Sequence, residues 1–79
     1  MTKTDALAWI AEIFEEPPEH VRENTPREEI AGWDSLGILS LMAGLDEKFD
    51  IHLTESDIDG MTNVGDILEL LRKNNALDA

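Results

Sequence analysis

Few residues in this chain are equipped for chemistry. Cysteine is absent, which excludes thiolate nucleophiles, thiolate metal sites and disulfides. His20 sits in a charged stretch and His52 lies between Ile51 and Leu53. Neither has a sequence partner that would make it a base or a metal ligand. A serine without such a base is not a nucleophile. Two stretches remain: an acidic one from Glu55 to Asp66, and Gly32-Trp33-Asp34-Ser35-Leu36.

The acidic stretch offers calcium chemistry. Glu55, Asp57, Asp59, Gly60, Asn63 and Asp66 follow the order of EF-hand loop positions one, three, five, six, nine and twelve. The pattern departs from that loop at both ends, with Glu at the first position and Asp at the last. Thr62 stands at the eighth position, normally apolar. The entering helix would have to pass through Asp50-Ile51-His52-Leu53-Thr54, which reads as a turn. A short acidic helix with its cap accounts for the same residues, and no metal ligand is assigned.

The serine stretch offers a different chemistry. Asp or Ser ahead of an apolar run is a common helix N-cap. Here Ser35 also follows a long connection and opens a helix with two apolar stripes. A phosphate esterified to Ser35 would lie at a helix N-terminus, where free N–H groups and the helix dipole favour an anion.

Four helical segments must position these residues. Leu7, Ile10, Ala11, Ile13 and Phe14, widened by Ala6 and Trp9, mark a first helix over about Thr4 to Glu15. Thr4 is its expected N-cap, Asp5 suits the positive end, and Pro17-Pro18 stop it. Residues 16–33 form a long connection whose apolar residues are Val21, Ile30 and Trp33. Val21 and Ile30 are expected to pin it, because an untethered loop of this length loses too much entropy.

A second helix runs from Asp34-Ser35 to about Phe49. At about 100° per residue, Ile38, Leu41, Met42, Leu45 and Phe49 share one sector. Leu36, Leu39, Ala43 and Glu47 share the opposite one. That outer stripe is either covered by the long loop or open as a docking face, or divided, with Leu36 under the loop and Leu39 and Ala43 open. Thr54 caps a short helix ended by Gly60. A last helix begins at Thr62 or Asn63, places Val64, Ile67, Leu68 and Leu71 on one face, and ends at Asn74-Asn75. Residues 76–79 are expected to fray. The fold class is therefore all-α: a small bundle of three main helices and one short one, forming a single domain over 1–79 with its core at about 4–73.

At this point the sequence resembles a known family, the acyl carrier proteins of the phosphopantetheine-binding type. The resemblance runs from about Leu7 to Leu71. It is carried by Gly32-Trp33-Asp34-Ser35-Leu36, by Leu45-Asp46-Glu47-Lys48-Phe49-Asp50-Ile51, and by Thr62-Asn63-Val64-Gly65-Asp66-Ile67. It implies a four-helix bundle that is not itself an enzyme. Ser35 would receive 4′-phosphopantetheine from coenzyme A and Mg²⁺ through a phosphopantetheinyl transferase. The terminal thiol of the arm would then carry an acyl or aminoacyl thioester, so the working thiol belongs to the cofactor. Asp34 and Leu36 complete the Asp-Ser-Leu signature, with roles in transferase recognition and loop packing. The resemblance also makes the outward stripe a docking surface of Leu36, Leu39, Ala43, Asp46 and Glu47. Its partners would be the transferase, a loading enzyme, and a downstream synthase or transferase. The alternatives are a small acidic EF-hand-like calcium-binding module and a helical adaptor that is never modified.

Two positions depart from many fatty-acid carriers, which are acidic two and five residues after the serine. Here they are Gly37 and Ser40, which points to a discrete carrier in a specialised pathway such as polyketide, nonribosomal peptide or lipid-modification chemistry. Gly37 is also expected to weaken the helix by about 0.5–1 kcal/mol relative to Ala. Leu41, Leu45, Phe49, Ile58, Met61, Ile67, Leu68 and Leu71 either line a cleft for an acyl chain or pack as a closed core. Close packing of small cores favours the second.

Composition narrows the partners. In 79 residues there are 18 Asp+Glu against 6 Lys+Arg, a formal charge of −12. That charge repels nucleic acid and anionic membranes, while 42% apolar content separates the chain from disordered acidic tails. A chain this short buries about 60–65% of its unfolded surface, too little to enclose a large substrate cavity. No apolar run approaches a membrane span and no secretory leader is recognisable, so a cytoplasmic monomer is expected. Residues 15–29 hold six acids against two arginines, residues 46–59 six against one lysine, and residues 35–45 none of either sign. Partner contact near Ser35 is expected to be apolar, flanked by acids that steer encounter.

Overall fold

A computed structural model describes residues 1–78. Four α-helices follow one another: α1 (Lys3–Ile13), α2 (Ser35–Phe49), α3 (Glu55–Asp59) and α4 (Val64–Lys73). No strand forms among the described residues; Pro26 and Asn63 make an isolated antiparallel bridge. No helix is long and apolar enough to cross a membrane.

Helix α1 starts one turn-fraction earlier than the sequence implies. Thr2, not Thr4, is the N-cap: its hydroxyl accepts the Asp5 N–H at 3.1 Å. The helix also ends earlier, at Ile13, before the prolines act. The Glu15 N–H binds the Glu12 carbonyl and the Glu16 N–H binds the Ala11 carbonyl, with Glu15 in the left-handed region at φ 55°. This is a Schellman closure, made without the usual glycine and therefore without a Gly to signal it.

The connection from 16 to 33 is ordered by three buried side chains. Val21, Ile30 and Trp33 are all buried, as expected for the first two. Two short 3₁₀ turns, Pro18–His20 and Arg27–Glu29, give it local structure that apolar periodicity does not register. It is also tied laterally to the start of α4. The Arg27 N–H donates to the Thr62 carbonyl at 2.9 Å, and the Val64 N–H to the Thr25 carbonyl at 3.0 Å.

Ile10, Leu41, Leu45, Ile58, Ile67 and Leu71 are fully buried at the centre. The inner stripe of α2 is as the spacing predicts, with Met42 and Phe49 at its edge and only partly buried. The ring of Phe49 meets Trp9 edge-on at 5.3 Å. Of the residues considered for an acyl cleft, Leu41, Leu45, Ile58, Met61, Ile67, Leu68 and Leu71 are buried in this core and Phe49 lies at its edge. In the expected frayed tail, the Ala76 N–H binds the Leu71 carbonyl and the Asp78 N–H binds the Met1 carbonyl. Ala79, the remainder of that expected tail, lies outside the described residues.

Helices α1 and α2 run antiparallel. Phe14 of α1 lies by Gly37, while Trp9 and Ile13 lie by Gly44 further along α2. The tightest contacts are backbone to backbone. A Cβ on Gly37 would collide with the Gly32 carbonyl oxygen, and one on Gly32 with the Phe14 carbonyl oxygen. Gly37 is buried, so its missing side chain is a packing requirement rather than the loss of helix stability expected from sequence.

Helices α3 and α4 begin with reciprocal capping boxes. Thr54 pairs with Asp57, and Asn63 with Asp66. Asp66 is held below the ordinary carboxylate pKa chiefly by the Thr62 backbone N–H at 2.7 Å, with help from the Thr62 hydroxyl and the Asn63 N–H. Asp57 is lowered in the same sense by the N–H and hydroxyl of Thr54.

Two predictions follow from these contacts. Gly37→Ala will destabilise the fold by about 1–3 kcal/mol, measured by urea denaturation, although the same change in an open helix would stabilise it. Because Asp66 has a depressed folded pKa, its stabilisation is complete above the unfolded value near ~3.9 and is lost as pH falls through the lower folded value. The Tm difference between wild type and Asp66→Asn will therefore be largest near neutrality and will narrow as pH falls below the unfolded value.

Candidate functional site

The start of α2 is built by its cap. Asp34 is extended (φ −121°, ψ −169°) and its carboxylate accepts the Gly37 N–H at 2.9 Å. Its carbonyl takes the first helical bond, from the Ile38 N–H at 2.8 Å. Ser35 is thereby fixed as the first residue of the helix. It is exposed, and its N–H and that of Leu36 belong to the first turn, where no helical acceptor exists.

The approach to Asp34 is held by an aromatic stack. Trp33 lies over Phe14 with ring centroids 5.0 Å apart and planes at 14°. The Arg27 guanidinium sits 5.3 Å from the Trp33 ring and donates to the carbonyls of Asp59 (3.0 Å) and Met61 (3.1 Å). The Trp33 indole N–H has no acceptor among the described residues, so packing rather than hydrogen bonding holds the ring. One loop is thus fastened at the same point to α1 and to the end of α3.

Around Ser35 the surface is apolar and open. Leu36 is 72% exposed and Leu39 55%. This corrects the expectation that Leu36 packs under the loop. The loop's own apolar residues turn into the core, and Leu36 points away from it. Ala43, Asp46 and Glu47 are also exposed, so all five candidate docking residues lie on the accessible side of α2. Asp46 is partly engaged. Its carboxylate lies 3.0 Å from Nδ1 of His52, whose Nε2 lies 3.0 Å from Asp50.

Asp46, Asp50 and His52 bring three potential ligand atoms within 4.8 Å of one another, all on exposed residues. Sequence reading missed this cluster because the turn after α2 reverses the chain at Asp50, where φ is 57°. The EF-hand alternative fails on geometry: Asp57 and Asp66 are turned back onto their own helix caps. Glu55, Asp57, Asp59 and Asp66 make no common cluster among the described residues.

An open groove of ≈ 500 Å³ runs between the second half of α1 and the start of α2. Trp9, Ile13, Phe14 and Leu36 form its apolar surface, and Asp34 and Leu36, the neighbours of Ser35, form one end. No hydrogen bond among the described residues engages the Ser35 hydroxyl. A phosphodiester on that oxygen would stand clear of the core, beside free amide groups and with a groove alongside. The residues present fit such a group.

Comparison with known proteins agrees. The family model for a phosphopantetheine attachment site matches residues 7–71. An acyl carrier protein of Sulfurovum sp. (strain NBC37-1) is 31% identical over 67 residues, covering 85% of this chain and 89% of that protein. One from Wolinella succinogenes is 31% identical over 70 residues, covering 89% and 92%. One from Chlamydia muridarum is 30% identical over 69 residues, covering 87% and 90%. By these matches, and with an all-helical fold among the described residues, the chain belongs to the acyl carrier protein family, whose members bear covalent 4′-phosphopantetheine and carry intermediates rather than catalyse.

Proposed function

We propose that Ser35 is the residue that bears 4′-phosphopantetheine, and that the chain is a cytoplasmic carrier working as a monomer in a specialised pathway. The observation that carries this reading is the exposed Ser35 hydroxyl at the start of α2, fixed there by the Asp34 cap. Family membership brings a phosphopantetheinyl transferase and biosynthetic enzymes in general as partners. The arm supplies a terminal thiol on which an acyl or aminoacyl group travels as a thioester.

In loading, the Ser35 oxygen attacks the phosphorus of coenzyme A that carries pantetheine. The bond to the adenosine 3′,5′-bisphosphate leaving group breaks as the new P–O bond forms. The serine proton must pass to a base of the transferase, because neither His20 nor His52 belongs to this site. Asp34 holds the helix start in register, and the first-turn N–H groups favour the phosphodiester charge. Leu36, Leu39 and Ala43 present the apolar contact, with Asp46 and Glu47 at its far end. The uncharged segment 35–45, including Gly37 and Ser40, supports service to partners other than an ordinary fatty-acid synthase.

Incubation with a broad-specificity transferase, coenzyme A and Mg²⁺ will raise the intact mass by one phosphopantetheinyl group. Ser35→Ala will show no rise, and failure of the wild type with several transferases would sink the proposal. Leu36→Asp with Leu39→Asp will lower kcat/KM for loading at least about tenfold, the equivalent of about 1.4 kcal/mol. Helical content by circular dichroism will be unchanged, since both side chains are exposed. Loading by a transferase with a basic docking surface will slow as NaCl rises from 50 to 500 mM.

A further inference from the structure

The groove beside Ser35 has a chemical character that the attachment site alone does not need. Its floor is apolar, with Trp9 and Ile13 from α1, Phe14 just after it, and Leu36 from α2. Its polar side chains are Glu12, Glu15, Asp34 and Ser40, and no lysine, arginine or histidine lines it. None of those three acids takes part in an ion pair among the described residues. Glu12 stands in the last turn of α1 and Glu15 just beyond its end, and both are exposed at the groove. Glu15 also occupies the left-handed position that ends α1, a conformation costly for any residue but glycine.

We propose that this groove seats the chain's own phosphopantetheine arm when the arm carries an aminoacyl group, with the ammonium of the cargo held by Glu12 and Glu15. The proposal rests on Ser35 as the attachment residue. Position, shape and charge support one occupant. The groove starts at the two neighbours of Ser35 and continues along the antiparallel α1–α2 seam toward Trp9. A tethered arm meets it at high effective concentration, so weak contacts suffice. The apolar floor suits the methyl-bearing pantoyl portion and a small side chain. A cation there meets acids and no basic side chain, and the half-buried Trp9 ring adds a face attractive to an ammonium. A neutral acyl group gains only the floor, and a cargo ending in a carboxylate is repelled.

The test uses the full chain loaded from coenzyme A analogues in which nitrogen replaces the thioester sulfur. The three arms carry ¹⁵N-alanyl, propionyl and malonyl groups, and intact mass confirms each loading on wild type and its absence on Ser35→Ala. In NMR spectra the alanyl arm will shift the Trp9 indole and Ile13 amide resonances relative to the unloaded-thiol form. The propionyl arm will shift them less and the malonyl arm least. The alanyl ammonium will titrate about half a pH unit above the free analogue, because neighbouring carboxylates favour the charged form. In Glu12→Gln/Glu15→Gln, two exposed changes outside the attachment motif, both the pKa rise and the resonance shifts will be lost. An ammonium pKa equal to that of the free analogue, or equal shifts from the propionyl arm, overturns the groove assignment while leaving Ser35 in place. No mass gain, or a gain that persists in Ser35→Ala, overturns the attachment reading and the groove with it.

Discussion

Where α1, the long connection and α2 meet, backbone packs on backbone. The Phe14 carbonyl lies against Gly32, and the Gly32 carbonyl against Gly37, so that neither glycine has room for a Cβ. That contact brings together the end of α1, the end of the long connection and the first turn of α2. Backbone atoms cannot swing aside as a flexible side chain does, so the spacing of α1 and α2 near Ser35 is set here. The Phe14–Trp33 stack and the Arg27 contacts fasten the same junction from the other side. Ser35 is exposed because everything around it is committed elsewhere: Trp33 inward, Asp34 to the cap, Gly37 to the seam.

The division of α2 into two faces gives the carrier its logic. Ile38, Leu41 and Leu45 are buried, which is what holds a bundle of this size together without disulfide or metal. Leu36 and Leu39 are left in solvent. Exposed leucines beside the proposed attachment serine are costly unless something covers them transiently, and a carrier that meets partner enzymes is that case. The acids are kept off this segment and placed on both sides of it, so charge can guide encounter without having to be desolvated at the contact.

Much of this is legible in the residues. The inner stripe of α2, the capping sequence ahead of Ser35, the stop at Asn74-Asn75 and the pins Val21 and Ile30 all follow from local rules about period, caps and burial. What is not legible depends on close approach in three dimensions. Gly37 read as a weak helix residue becomes a required one once the Gly32 carbonyl is seen beside it. Thr2 and Thr4 are equivalent caps by type, and only the Asp5 N–H decides between them. The Schellman closure at Glu15 and the reversal at Asp50 use residues that do not advertise a left-handed backbone. The calcium-like order of acids from Glu55 to Asp66 dissolves because hydrogen bonds to nearby N–H groups claim the carboxylates first. The groove, formed by residues from two segments some twenty positions apart, has no signature along the chain.

The most direct test of the account is to locate the modification on the chain. Tryptic digestion of the protein loaded by a transferase yields the peptide spanning residues 28–48, between Arg27 and the cleavage after Lys48. Its only hydroxyl side chains are Ser35 and Ser40, one at the capped start of α2 and the other one turn beyond. Fragment-ion mass spectrometry will place the phosphopantetheinyl group on Ser35. Its appearance on Ser40, or on a peptide outside 28–48, would contradict the account.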